Sequence, residues 1–151
     1  MRILGLDMGD KWVGIAIADP LGISCKPYQT VERSELLPFL KKIIVSERIG
    51  TIVVGRPVTM SGGASAQTEQ INKEAANLEK NCAGIASTSL TWILWDERLS
   101  SKRADSLRHA QGDRASVKMT PEAKQKSHSV AAAFILQTYL DYKAMQNVGD
   151  L

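Results

Sequence analysis

Apolar residues recur along this chain with two periods, one of strands and one of helices. Ile3 to Leu6 and Val13 to Ala18 are short apolar runs parted by a polar turn containing Gly9, the pattern of a β-hairpin. In the second run Val13, Ile15 and Ile17 alternate with Gly14, Ala16 and Ala18, so one face of that strand is small enough for another element to approach closely. A third strand is predicted over Ile23 to Val31, with Pro27 assigning it to a sheet edge. Leu36, Leu37, Leu40, Ile43 and Ile44 then follow helical spacing, with Ser34 as the expected N-cap and Pro38 in the first turn. The continuous apolar run from Ile49 to Gly55 predicts a strand buried on both faces.

Arg56 to Gly63 follows that strand as a loop, the usual place for substrate contact in an α/β protein. It carries neither of the two glycine-rich nucleotide motifs, GxxxxGK[ST] and GxGxxG, so on its own evidence it reads as a plain connection. Ile71, Ala75, Leu78 and Cys82 mark the next helix, closed by Gly84. Leu90 to Trp95 is a strand running into Asp96-Glu97-Arg98, and a helix is expected from Ser101 to Ala110. After the polar, basic stretch Gly112 to Met119, Thr120-Pro121-Glu122 is a helix start, and the helix continues through Leu140 or beyond. His128, Ala131, Ala132, Ile135 and Tyr139 share one face of it, with His128 heading the stripe.

Composition narrows the class. With 151 residues, 44% hydrophobic and 23% charged, the chain fits one globular domain over 1–151, its last few residues disordered. No run reaches the roughly 20 apolar residues of a membrane span. The N-terminus lacks a signal-peptide pattern, and Cys25 and Cys82 have no metal or redox spacing, so a cytoplasmic protein is expected. The net charge of +3 is uneven: Arg98 to His128 carries eight Lys and Arg against three acids, a net of +5, which leaves −2 elsewhere. A basic segment on a near-neutral body is the footprint of a polyanion partner, although a solvated helical face has the same composition.

Candidate chemistry gathers at strand ends. Asp7 stands where the first strand runs out, beside the permissive Gly9, and its carboxylate either closes the turn or projects from the sheet. Asp96 and Glu97 end another strand, and because side chains alternate only one of them can face a given site. His128 is either a hydrogen-bonded boundary residue or a functional group near those carboxylates.

Four motifs in order resemble the RuvX (YqgF) family of nucleases over nearly the whole chain. The opening pattern matches Gly5, Asp7, Gly9, Lys11, Gly14 and Ala16; the loop pattern matches Val53-Val54-Gly55-Arg56-Pro57 with Met60 and Gly62. The D-E-R-L-[ST] box matches Asp96 to Ser100, and the closing helix pattern matches Ala132 to Leu140. One position departs. Where the family carries Asp, this chain has His128, so an imidazole replaces the third carboxylate of the site.

The resemblance implies an α/β, RNase H-like fold with a mixed five-stranded sheet in the order 3-2-1-4-5, flanked by helices. It implies phosphodiester hydrolysis with Mg²⁺ or Mn²⁺, two ions roughly 3.5–4 Å apart being the usual arrangement. Asp7 would bridge the ions and Glu97 would bind one. His128 would bind the other or carry a proton, with Asp96 a candidate in support. Lys11, Arg56, Arg98, Arg103, Arg114, Lys118 and Lys126 would hold phosphates. Three functions follow: a nuclease processing the 5′ end of pre-16S rRNA on a ribosome precursor, a Holliday junction resolvase acting on branched DNA, or a nucleic-acid-binding protein with an impaired site. A D-x-G hairpin also opens actin-like ATPases, but those need two such domains and this chain has room for one.

Overall fold

The computed structural model describes residues 1–56, 66–85, 89–96 and 121–149. Its strands are β1 (Arg2–Met8), β2 (Trp12–Ala18), β3 (Cys25–Glu32), β4 (Ile49–Arg56) and β5 (Thr91–Asp96). Its helices are α1 (Leu36–Ser46), α2 (Ala66–Cys82) and α3 (Pro121–Gly149). The sheet runs β3-β2-β1-β4-β5, as the resemblance implies. β1 pairs antiparallel with β2 and parallel with β4, which places it at the centre.

Alternation along β1 sorts the core into two clusters. Leu4, Leu6 and Met8 join Val13, Ile15, Ile17, Ile52 and Val54 beneath α1 and α2, which contribute Leu36, Leu40, Ile43, Ile44, Ile71 and Ala75. On the opposite face Ile3, Ala16, Ala18 and Val53 meet Ala132, Ile135, Leu136, Tyr139 and Leu140 of α3. Ile52, Val53 and Val54 are all buried, as a strand covered on both faces requires.

β3 lies at the sheet edge, as Pro27 predicts, but starts two residues late. The Asp19 carboxylate accepts the Ile23 and Ser24 amides at 2.8 and 3.3 Å and holds both residues in a turn. Ile15 pairs with Gln29 and Ala16 with Pro27, so Tyr28 is the extra residue of a bulge. The α1 start also differs. Arg33–Glu35 form a 3₁₀ turn and the residue preceding α1 is Glu35, without a side-chain cap bond, so Ser34 is not the N-cap. The cause is tertiary: the Arg33 amide is tied to the Lys11 carbonyl at 2.9 Å. Pro38 falls third in α1, within the first turn, where a missing N–H costs nothing. Gly84, at φ 81°, stops α2 as expected.

α3 begins at Pro121, as the Thr-Pro-Glu pattern predicts. Among the described residues no helix is long and apolar enough to cross a membrane. The expected helix 101–110, the basic stretch 112–119 and the final two residues lie outside the described residues.

Candidate active site

Glycines on one face of the hairpin let α3 lie directly on the sheet. Asp7 of β1 pairs with Gly14 of β2, and residues directly opposite in a ladder share a face. A Cβ on Gly14 would stand 1.9 Å from the His128 carbonyl oxygen and 2.8 Å from the Ser129 nitrogen. One on Gly5 would stand 2.8 Å from the Leu136 Cβ. Any side chain at Gly14 would therefore lift the helix backbone off the strand. At Gly9 a Cβ would come 3.3 Å from His128 Cε1 and 3.6 Å from Nδ1, so the imidazole stands over the turn next to Asp7.

Asp7 is partly buried, and burial pushes its carboxyl above its ordinary value while the charge of His128 pulls it back down. A carboxylate held in a poorly solvated place gains from a cation, and here one side of it is an imidazole. Behind the pair, one polar contact lies within α3 and another ties it to β5. Ser129, buried, donates its hydroxyl to the Lys126 carbonyl at 2.9 Å. Further along, the Trp95 indole donates to Thr138 Oγ1 at 3.0 Å, and its ring packs edge-on against Tyr139 at 5.4 Å.

β5 places one of the two neighbouring acids, Asp96. Trp95 is level with Gly55 and Asp96 with Arg56. Ile93 and Trp95 pack on the α3 side and Trp92 on the other, so alternation assigns Asp96 to the face opposite Asp7. That face is wrong for a supporting role in a ligand set built on Asp7. Glu97 lies outside the described residues.

Of the basic candidates, Lys11 sits in the β1–β2 turn with its ammonium 5.6 Å from the Trp12 ring centroid. Arg56 closes β4, and Lys126 is exposed on α3 before His128. Arg98, Arg103, Arg114 and Lys118 lie outside the described residues. Sequence reasoning missed Arg33. Its Nη1 donates to the carbonyls of Gly9 and Asp10 at 3.0 and 3.4 Å, and its Nη2 pairs with Glu74 of α2. No local pattern marks such a residue, because its partners are distant in sequence.

The donor chemistry fits a divalent cation: a carboxylate oxygen for a hard ion and an imidazole nitrogen that Mn²⁺ accepts more readily than Mg²⁺. Among the described residues no three potential ligands come together.

A mixed sheet in this order, with helices on both faces and a carboxylate at the end of its central strand, defines an RNase H-like α/β protein. The RuvX family, described as Holliday junction resolvase, matches residues 1–142, and the chain belongs to that family. It is thus a member of a nuclease family, hydrolases of phosphodiester bonds. A Geobacillus sp. relative is 38% identical over 148 residues, spanning 95% of this chain and 99% of its own. One from Clostridium tetani is 37% identical over 144 residues, with 93% and 96% covered. One from Pelagibacter ubique is 36% identical over 145 residues, with 94% and 89% covered. All three are provisionally named pre-16S rRNA nucleases. Among solved structures, T. thermophilus RuvC in complex with a Holliday junction substrate aligns with a TM-score of 0.63 at 14% identity, covering 96% of both chains. The yeast mitochondrial Holliday junction resolvase Ydc2 aligns at 0.53 and 12%, covering 94% and 78%. At such identities the likeness concerns the fold.

Proposed function

We propose that this protein is a cytoplasmic, divalent-metal-dependent nuclease that trims the 5′ end of pre-16S rRNA. The observation that carries the proposal is the approach of α3 over Gly14 and Gly9, which sets His128 beside the partly buried Asp7 at the end of the central strand. The relatives' shared name supports the choice of RNA.

Asp7, Glu97 and His128 are the residues we assign to hold Mg²⁺ or Mn²⁺. When bound, such an ion supplies Lewis-acid stabilisation of phosphoryl charge and a more acidic water. The chain's own residues do the rest. Asp7, fixed on a rigid strand, keeps its position when charge changes nearby. His128 offers a ring nitrogen to the site, and its place on α3 ties that nitrogen to the seating of the helix. Lys11, Arg56, Lys126 and the basic residues Arg98, Arg103, Arg114 and Lys118 fix the phosphates on either side of the scissile bond.

Asp7→Asn tests the assignment, since it keeps the shape and removes the charge. Cleavage of a structured RNA carrying the 16S 5′ flank should fall to background with Mg²⁺ and Mn²⁺, with substrate binding retained. Cleavage at the wild-type rate would refute the site. The family's description and the likeness to RuvC favour a second reading, resolution of four-way DNA. Running both substrates side by side separates the two, and tight binding without cleavage of either would identify an impaired site.

A further inference from the structure

The β1–β2 turn leaves the sheet after Met8, the last β1 residue paired with β2, and the Gly9 and Asp10 carbonyls lie beyond that pairing. The turn's own bond, from the Gly9 amide to the Trp12 carbonyl at 3.0 Å, closes it at one point. A second hold comes from outside. Arg33 inserts its guanidinium under the turn, with Nη1 on the Gly9 and Asp10 carbonyls and Nη2 on the Glu74 carboxylate, while its own amide donates to the Lys11 carbonyl. Both charged side chains are only about a quarter exposed, at 25% and 26%, so solvent screens the pair incompletely. A planar guanidinium suits this task because its fixed fork reaches carbonyls and a carboxylate at once.

We propose that Arg33 is a positioning residue for the phosphodiesterase site, and that Glu74 holds it in place. Through this clamp, α2 and the segment after β3 fix the turn that carries Gly9 and Lys11, and with it the direction of the Asp7 carboxylate relative to His128. Arg33 itself spends its donors on backbone and on Glu74, so it acts through the turn. The inference rests on the nuclease reading of the site.

The test compares wild type with Arg33→Met, Arg33→Lys and Glu74→Gln on the RNA and four-way DNA substrates, recording kcat, KM and Tm. Misplacing a catalytic group by about 1 Å costs on the order of 100-fold in rate. Arg33→Met should therefore lower kcat by roughly 10- to 100-fold with KM nearly unchanged, as loss of transition-state alignment requires. Arg33→Lys, which keeps the charge and loses the fork, should recover part of kcat, and Glu74→Gln should lower kcat in the same direction by less. Amide exchange at Gly9 should quicken in all three, even where Tm hardly moves. A rise in KM with unchanged kcat, fully restored by Arg33→Lys, would make Arg33 a phosphate-binding cation and overturn the proposal. Unchanged kcat and KM in a folded Arg33→Met would also overturn it while leaving the nuclease reading intact. If Arg33→Met does not fold, unchanged kcat and Gly9 exchange in Glu74→Gln would overturn it. Wild type that cleaves neither substrate with either metal would remove the nuclease reading and this proposal together.

Discussion

β1 carries two different kinds of surface on its two faces. Leu4, Leu6 and Met8 point into a cluster of branched aliphatics that fills the space beneath α1 and α2. Ile3, Gly5 and Asp7 occupy the other face, where a smaller apolar cluster meets α3 and the helix comes closest over Gly5 and Gly14. The first face stabilises by burying apolar area. The second buries a smaller cluster and gains position: over Gly14 no side chain separates helix from strand, so backbone contact sets the placement of His128 against Asp7. The same strand thus carries the larger part of the core on one face and the candidate site on the other.

Substitutions on the two faces should fail differently. Gly14→Ala should have the largest effect on activity, because its new Cβ meets the His128 carbonyl, which belongs to a helix backbone and cannot rotate away. We expect about 1–3 kcal/mol of destabilisation from overpacking and a kcat lower by on the order of 100-fold, read by urea unfolding and single-turnover cleavage. A fully active Gly14→Ala would break the contrast between the faces. Leu6→Ala is the converse. It should cost about 2–5 kcal/mol through the cavity it leaves, while the folded fraction cleaves at nearly the wild-type rate. Matched losses of stability and turnover in both variants would mean that the faces are not separable.

His128→Asp asks how much the imidazole shapes the site. It should raise Mg²⁺-dependent cleavage severalfold and narrow an Mn²⁺ advantage, since Mg²⁺ favours hard oxygen ligands. His128→Ala should be the poorest of the three with either ion. An identical metal preference in all three would assign His128 to packing alone.

The smallest effect is on stability against pH, measured without metal. Burial raises the Asp7 pKa in the folded state above 3.8, so the native protein holds this proton more tightly than the unfolded chain. Its contribution therefore falls as pH rises from about 3.8 through the folded value, and above that the buried charge is a constant cost. Asp7→Asn should be the more stable protein near pH 7, and its advantage should shrink towards about pH 4. An advantage that is flat with pH would mean that burial of Asp7 carries no electrostatic cost.

Much of this architecture is legible in the residues, and the parts that are not share a cause. The small face of β2 is visible in Gly14, Ala16 and Ala18 because strand alternation is a local property. The α3 stripe foretells Ala132, Ile135 and Tyr139 but omits Leu136, which is buried because Gly5, far away in sequence, leaves room for it. Ser34 has the right chemistry for a cap, yet the contacts of Arg33 with the β1–β2 turn set where the helix begins. The sequence does not say which face Asp96 takes, and the packing of Trp95 on the α3 side assigns it to the opposite one. Each miss turns on a partner supplied by another part of the chain.

The distance in sequence between Asp7 and His128 has a consequence for the protein as it is made. Asp7 leaves the ribosome well ahead of α3, within a hairpin that can pair locally. His128 follows 121 residues later (128 − 7), so at about 5–20 residues per second the two are separated by on the order of ten seconds of translation. Throughout that interval the glycine face of β1 lacks its covering helix, and the nascent chain holds a carboxylate without its imidazole. On the site assignment proposed above, the site is complete only once α3 has emerged and docked, so a product that stops before α3 lacks His128.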